Sequence, residues 1–517
     1  MDRGCRFSGF GISDGSLLSG GTATALLFLL ALPLLFTGCG DRRDDRPNIL
    51  FVVWDTVRAD RLGVYGCDQP TTPFVDRWAK GARVFEDCKS VANCTVPAHA
   101  SWFTGLLPGE HGRNNNSNHL DDRFDTLAEL LKRSGYRTYM FSANPHIVRQ
   151  NNFSQGFGLA EHPWDRKYLE EATRNRSAKL TRGESGRPRL PASRRGKPSP
   201  WEIKDGGRLA RKGLLDWVRK SNNEKPYFAF INYMEAHLPC TPAAPYLERM
   251  AGGPESARET GNGISWADLW CYTFGQKELS EARLARGRLK YAACVAELDA
   301  LFEDLLSSLE KAGCLENTVV ILTADHGEHL GEHHLLDHQY SLYEPLIRVP
   351  LLACGPGLLE PGREARPVTN CDIFPTLLEV AGINCPEEIG DKAKSLLHPE
   401  EERIRVAELP AFPTHWFSLV SKKYAGFDPR PFARTLRAAY KGKFKLIASS
   451  DGRHELYDLS ADPDEADNLA AARPELLERM RKVLDEWVAS FDKVSFGPGP
   501  HRKMSEEARR RFEELGY

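Results

Sequence analysis

The chain has 517 residues and a formal net charge of −2, with 41% hydrophobic and 27% charged residues. This composition is ordinary for a soluble globular protein, and it excludes a disordered chain, a coiled coil and a multi-span membrane protein. The near-zero net charge argues against nucleic acid as a partner, because nucleic-acid-binding domains usually carry a basic excess. At about 100–200 residues per domain, the length allows two to four domains, or one large domain with a small companion.

The N-terminal segment has the pattern of an export signal. Basic residues precede an apolar run over 23–36, which is shorter than the ~20 residues of a membrane-spanning helix. Small residues then precede Cys39, as in the bacterial lipobox, whose cysteine is lipidated. We predict a lipoprotein-type signal peptide over 1–38 and a solvated tether over 39–46. The protein would be exported to the periplasm or cell envelope and anchored to the membrane through Cys39; a plain signal peptide and a signal anchor are the alternatives.

Three apolar runs have the pattern of strands buried on both faces, and polar residues follow each of them. The runs and their polar residues are 48–54 with Asp55, 227–233 with His237, and 318–323 with Asp325. Helical patterns lie between them at about 127–134, 209–218 and 281–311. This alternation predicts an α/β fold with a large central, mostly parallel sheet flanked by helices. In such sheets ligands bind at the carboxyl ends of the strands, where these polar residues lie.

The pattern changes past residue 400. Two strand-like segments flank a Ser-Asp-Gly turn signal at 450–452, and a helix is predicted over about 474–488. We therefore predict a large domain over 47–400 and a small α+β C-terminal domain over 401–517.

A basic insertion over about 171–200 interrupts the large domain. It carries nine Lys or Arg residues against two acidic ones. It is either a mobile insertion or a surface that attracts anionic polymers or lipid headgroups.

Residues at two strand ends predict a divalent-metal site. Asp55 and Asp325 each follow a buried strand, and His326 comes next. Two carboxylates and an imidazole from adjacent strands suit a divalent cation. Thr95 precedes Pro97 in a polar segment that has the pattern of a helix start. A nucleophile there would lie at the positive end of the helix dipole, which stabilises an oxyanion of phosphorus or sulfur.

Several motifs follow one another in a fixed order from residue 47 to about 470. They are PNILFVVWDTVRAD from 47, TVPAHAS from 95, TADHGE from 323, SLYE from 341, RVPL from 348, and LYDL from 456 with DP at 462 and NL at 468. With these motifs the chain resembles the sulfatase family of the alkaline phosphatase superfamily. The resemblance covers most of the chain and implies that family's fold, with ester hydrolysis assisted by one divalent metal, which is Ca, Mn, Mg or Zn.

The resemblance also implies roles for individual residues. The implied metal ligands are Asp55, Thr95, Asp325 and His326. The implied catalytic residues are Thr95, His237, His338 and His99. Among these, His237 and His338 would contact the transferred group, and His99 takes the place of a family arginine.

Departures from the family pattern concern the nucleophile. Sulfatases usually carry Cys-x-Pro-x-Arg, whose cysteine is oxidised to formylglycine, whereas this chain has Thr95-Val-Pro-Ala-His99. Cys94 lies one residue early, so we expect Thr95 to be the nucleophile. Thr56 replaces the second Asp of the usual N-terminal pair, and the run 140–146 lacks a lysine that many sulfatases carry.

A threonine nucleophile changes how the sulfate or phosphate group is released from the enzyme. A formylglycine hydrate expels sulfate by collapsing to the aldehyde, whereas an ester on Thr95 must be released by water or by an acceptor alcohol. We therefore expect an exported, metal-dependent hydrolase of sulfate or phosphate esters. Its substrate would be a sulfated or phosphorylated glycan, lipid or small molecule. The alternatives are a phosphodiesterase or phospho-headgroup transferase, and a non-catalytic binding lipoprotein.

A rival motif is His-x-x-Glu-His at 329–333, which matches an inverted zinc-protease signature. That motif needs a regular helix to bring both histidines to one face. Gly331 in its middle weakens such a helix, so we expect no protease site here.

Overall fold

The structure, a computed structural model, describes residues 44–490 apart from 115–116, 173–202, 204–205, 221–224, 262 and 411–413. The predicted signal peptide, Cys39, nearly all of the basic insertion and the last 27 residues lie outside the described residues. Among the described residues, no helix combines the length and hydrophobicity that a membrane span requires.

The described strands and helices alternate in the first two thirds of the chain. The strands are β1 Asn48–Trp54, β2 Arg83–Phe85, β3 Cys88–Lys89, β4 Arg137–Ser142, β5 Leu159–Glu161, β6 Tyr227–Tyr233, β7 Thr318–Thr323, β8 His329–Leu330, β9 Leu336–Asp337, β10 Leu351–Cys354, β11 Gly362–Glu364, β12 Val368–Thr369, β13 Arg405–Leu409, β14 Leu436–Lys441, β15 Phe444–Ser449 and β16 Glu455–Asp458. The α-helices are α1 Pro73–Trp78, α2 Thr95–Thr104, α3 Pro108–His111, α4 Leu127–Arg133, α5 Gly206–Arg219, α6 Ala244–Ala251, α7 Pro254–Glu259, α8 Trp266–Thr273, α9 Glu281–Lys311, α10 Glu344–Ile347, α11 Ile373–Val380, α12 His415–Lys423 and α13 Pro474–Ala489.

Eight of the described strands form the central sheet, in the order β11-β2-β10-β7-β1-β6-β4-β5. β1 lies in its middle, parallel to both neighbours, and Phe51 pairs with Phe230 on one side and Ile321 on the other. Among these eight described strands, β10 alone runs antiparallel to its neighbours. The prediction of a large, mostly parallel sheet is confirmed.

Helices cover both faces of this sheet. Phe51 of β1 packs edge-on against Trp102 of α2, with ring centroids 5.3 Å apart. Trp54, three positions later and therefore on the opposite face, packs in the same way against Phe302 of α9 at 6.0 Å. Because both faces are covered, the carboxyl ends of the parallel strands are the place for a ligand.

A second, antiparallel sheet of described strands has the order β13-β14-β15-β16, and β15 with β16 forms the predicted hairpin. One face packs against Met480 and Leu484 of α13, and the other against apolar residues of 342–347. The backbone amide of Glu408 in β13 also donates to the carbonyl of Val91, at 2.9 Å. The small α+β C-terminal unit is thus confirmed, and it contacts the segment that leads into α2.

Candidate active site

Two strand ends and the start of one helix form the candidate site. Asp55 follows β1 directly, Asp325 and His326 lie just beyond β7, and Thr95 is the first residue of α2. One ligand atom from each of Asp55, Asp325 and His326 lies within 4.8 Å of the other two. Thr95 Oγ1 lies 3.3 Å from His326 Nε2. The structure therefore brings together the four residues that were predicted as metal ligands.

The two carboxylates are fully buried, and each has one oxygen satisfied. Asp55 Oδ2 accepts a hydrogen bond from Asn144 Nδ2 at 2.7 Å. Asp325 Oδ1 accepts from the backbone amides of Thr56 and His326, at 3.1 and 3.0 Å. Asp55 Oδ1 and Asp325 Oδ2 have no hydrogen-bond partner among the described residues. Burial raises the pKa of each carboxyl to about 7, and the charge of Asp325 adds to the rise at Asp55.

His326 has the tautomer that a metal ligand needs. Its Nδ1 lies 2.9 Å from the carbonyl of Gly327 and must carry a proton, which leaves the lone pair on Nε2. Burial lowers the pKa of His326, so the ring stays neutral. Two carboxylate oxygens without partners, a neutral imidazole and the hydroxyl of Thr95 suit Mg, Mn, Ca or Zn. These residues therefore fit one divalent cation.

The hydroxyl of Thr95 faces this set from the N-terminus of α2. Its Oγ1 lies 3.5 Å from Asn144 Nδ2 in addition to its contact with His326. Cys94, immediately before the helix, has an extended backbone, and its Sγ lies 3.9 Å from the carbonyl oxygen of His338. The helix dipole favours a negatively charged group beside Thr95.

Two further predicted histidines flank the predicted metal ligands. The ring centroid of His338 lies 4.2 Å from that of His326 and 5.6 Å from that of His237. His338 Nδ1 is 3.2 Å from the carbonyl of Asn93, and its Nε2 is 3.1 Å from Asp337 Oδ1. Nδ1 therefore carries a proton, and Nε2 shares one further proton with Asp337. Burial lowers the pKa of His338 and raises that of Asp337 to about 7, which favours the neutral pair.

His99 lies one turn along α2, behind the carboxylates. Its Nδ1 is 2.9 Å from the carbonyl of Thr95 and 3.8 Å from Asp325 Oδ2. Its ring packs against Trp102 and Phe230, with centroids 4.7 and 5.7 Å apart. Burial lowers its pKa to about 3, so the ring is neutral. His99 therefore donates to the backbone of Thr95 and lies behind Asp325 without a hydrogen bond to it.

Asn144 and His146 lie just past β4 and were not among the predicted site residues. The Asn144 amide reaches both Asp55 and Thr95, and its Oδ1 accepts from the backbone amide of His146 at 2.8 Å. Burial lowers the pKa of His146 to about 4, and this ring interacts electrostatically with His338. The available signal was their position at the carboxyl end of a parallel strand, the signal that had identified Asp55.

Thr56 is held in a strained conformation beside the site. Its φ of 61° is left-handed, which is costly for a β-branched residue and is typical of functional sites. The Tyr291 hydroxyl of α9 donates to the Thr56 carbonyl at 2.6 Å and accepts from the amide of Arg58 at 3.1 Å. The same backbone conformation lets the Thr56 amide donate to Asp325. Tyr291 thus stabilises the turn that orients Asp325.

The residues of the zinc-protease signature adopt a different geometry. His329 lies in β8, and Glu332–His334 form a single 3-10 turn in which His333 has a left-handed φ of 51°. His329 Nε2 contacts Ser341 Oγ at 2.7 Å, while the ring of His333 stacks on Tyr343 at 3.8 Å. The two histidines of this signature therefore do not lie on one face of a regular helix.

Family models match most of the chain. The model described as Sulfatase matches residues 47–383, and that of the N-sulphoglucosamine sulphohydrolase C-terminal region matches 331–490. Arylsulfatase K of Mus musculus is 26% identical over 481 residues, which cover 87% of this chain and 80% of that protein. N-acetylglucosamine-6-O-sulfatase of Bacteroides thetaiotaomicron is 24% identical over 535 residues, which cover 88% of each chain.

Solved structures share the fold. The phosphonate monoester hydrolase of Agrobacterium radiobacter has a TM-score of 0.65 at 21% identity, covering 86% of this chain and 96% of that one. A structure in complex with D-glucosamine-2-N,6-O-disulfate has a TM-score of 0.63 at 20% identity, covering 88% of this chain and 100% of that one. Because the Sulfatase model covers more than half of the chain, the protein belongs to the sulfatase family of ester hydrolases.

Proposed function

We propose that the protein is a metal-dependent hydrolase of sulfate or phosphate esters with Thr95 as its nucleophile. The observation that carries this proposal is the position of the Thr95 hydroxyl, 3.3 Å from His326 Nε2, beside two carboxylate oxygens without partners among the described residues. A hydroxyl that binds a cation at the N-terminus of a helix is suited to attack a sulfate or phosphate ester, because the cation and the helix dipole both stabilise negative charge.

A bound divalent cation would lower the pKa of the Thr95 hydroxyl and shield the negative charge of the ester. Asn144 and His326 contact this hydroxyl at 3.5 and 3.3 Å and would hold it in place for the attack. The attack forms a bond from Thr95 Oγ1 to phosphorus or sulfur and breaks the bond to the leaving oxygen, which takes up a proton. His237 would bind a peripheral oxygen of the transferred group, and His338, whose two ring nitrogens contact Asn93 and Asp337, would lie beside it. Water then hydrolyses the ester on Thr95 and restores the hydroxyl.

One feature favours phosphoryl transfer as a second candidate. A sulfated threonine lacks the route of collapse to an aldehyde, whereas a phosphorylated threonine can pass its group to water or to an alcohol. The similar proteins include both chemistries, an N-acetylglucosamine-6-O-sulfatase and a phosphonate monoester hydrolase. Hydrolysis of a phosphodiester, or transfer of a phospho-headgroup, therefore fits the same residues.

Activity assays separate these candidates. We expect metal-supplemented protein to hydrolyse bis-p-nitrophenyl phosphate or p-nitrophenyl sulfate, and the ratio of the two kcat/KM values identifies the preferred ester. Thr95→Ala should lower kcat by about 10³-fold or more, because the nucleophile is lost. Cys94→Ala is the matched control and should keep activity. If Thr95→Ala stays active and Cys94→Ala is inactive, the nucleophile is residue 94 and our assignment of Thr95 is wrong.

A non-catalytic binding lipoprotein would behave differently. It would hydrolyse neither ester, whether or not it held a stoichiometric metal. Mass spectrometry of the peptide over 89–113 from the native host adds a direct test. A phosphorylated or sulfated Thr95 supports turnover, and a formylglycine at residue 94 contradicts our assignment.

We also propose that the protein is exported and lipid-anchored through Cys39. The support is the sequence pattern of a short apolar run followed by a lipobox-like cysteine. Cys39→Ser should release the protein from the membrane fraction, and an unchanged membrane fraction would contradict the anchor.

A further inference from the structure

A basic stripe runs along one face of α5. It consists of Arg208, Arg211, Lys212, Leu215 and Arg219, at helical spacings that place them on the same side. Together with Glu171 and Asp216 these residues line a cleft of about 290 Å³. Four lining cations outnumber the two lining carboxylates, and Asp304 of α9 adds a third carboxylate beside Arg211, so the cleft keeps a positive excess of one charge.

The stripe begins at the edge of the sheet that carries the candidate active site. The amide of Gly207 in α5 donates to Glu235 Oε1 at 2.8 Å, and Glu235 lies two residues before His237. A Cβ at Gly206 would come within 2.5 Å of the side chain of Ala143, the neighbour of Asn144. From Arg208 to Arg219 the stripe rises by eleven helical steps, or about 16 Å at 1.5 Å per residue.

The charges and shape of the cleft indicate the ligand. Lys212 and Arg219 are exposed, while Lys212 also pairs with Glu171 at 2.7 Å, and Arg211 pairs with Asp304 at 2.9 Å. A concave groove with cations in a line accommodates a chain better than the flat surface of a bilayer.

We propose that this cleft binds a linear polyanionic glycan whose sulfate or phosphate groups contact the basic stripe. The cations would bind a part of the glycan that lies away from the reacting ester. The reacting ester would then reach the edge of the sheet. Binding is independent of the reaction proposed above, whereas its contribution to turnover rests on the proposed function.

A charge-reversal experiment tests the cleft. The variant is Lys212→Glu with Arg219→Glu, and the matched control is Arg481→Glu with Lys482→Glu on α13, which makes the same change in net charge at exposed positions. The probe is a fluorescein-labelled heparin oligosaccharide, with binding followed by anisotropy in EDTA, where hydrolysis does not contribute. We expect the cleft variant to weaken binding about tenfold and the control to leave it unchanged at constant ionic strength.

Turnover supplies the second arm of the test. The cleft variant should keep wild-type kcat/KM on the small p-nitrophenyl ester that the protein prefers. Equal loss of heparin binding in the cleft and control variants, or no loss in either, would overturn the proposal. Unchanged heparin binding with lost binding to phosphatidylglycerol vesicles would also overturn it, in favour of a lipid surface. Loss of heparin binding in a protein that hydrolyses neither ester supports the cleft and rejects only the proposed function.

Discussion

The two buried carboxylates predict how stability depends on pH and on metal. In metal-free protein each carboxyl has its pKa raised from 3.8 to about 7, chiefly by burial. Between about pH 4 and pH 7 the unfolded chain therefore releases protons that the folded protein retains. Stability must fall as the pH rises through this window, and the full penalty remains above pH 7.

The size of the effect follows from the pKa values. A rise of about three pKa units corresponds to about 4 kcal/mol for one carboxyl, at 1.36 kcal/mol per unit. A divalent cation neutralises both carboxylates, and at a concentration of 1,000 times its Kd it stabilises the folded state by about 4 kcal/mol. The metal-free protein should therefore be much less stable at pH 8 than at pH 5, and metal should restore stability at pH 8.

Thermal unfolding of Asp325→Asn checks this reasoning. Asparagine keeps the oxygen that accepts from the amides of Thr56 and His326, but it removes one buried charge. We expect a higher Tm than wild type in EDTA at pH 8, a flatter pH dependence, and a smaller increase on adding Mn²⁺ or Ca²⁺. Asp391→Asn, whose side chain is 95% exposed, is the control and should behave as wild type. Equal metal stabilisation of Asp325→Asn and wild type would refute the assignment of these carboxylates.

Two further variants test residues that support the site. Tyr291→Phe removes the hydroxyl that holds the strained turn at Thr56, so metal affinity measured by calorimetry should fall about tenfold with the fold retained in circular dichroism. Unchanged metal affinity would limit Tyr291 to a packing role. Asn144→Ala leaves Asp55 Oδ2 without its 2.7 Å donor, and we expect kcat to fall about tenfold to a hundredfold in steady-state kinetics. Recovery of kcat in Asn144→Ala at saturating metal would show that Asn144 supports metal binding alone.

Local sequence patterns predicted much of the fold. The apolar runs became β1, β6 and β7, and the long helical pattern became α9 over Glu281–Lys311. These segments were readable because a strand buried on both faces must be apolar throughout, and because a helix repeats its apolar positions every three to four residues. The turn signal at 450–452 likewise predicted the hairpin of β15 and β16.

The sequence by itself determined which residue types stand at the strand ends and at the start of α2, and thus the predicted ligands. Only the tertiary structure decided how they are supported. The amide of Thr56 donates to Asp325 across 269 positions of sequence, and Asn144 donates to Asp55 across 89. No local pattern encodes such pairs, because these hydrogen bonds depend on which strands become neighbours in the sheet. His99 is a further case. The sequence predicted it beside the nucleophile, but the aromatic rings that pack against it behind the carboxylates orient it, and this packing depends on the tertiary structure.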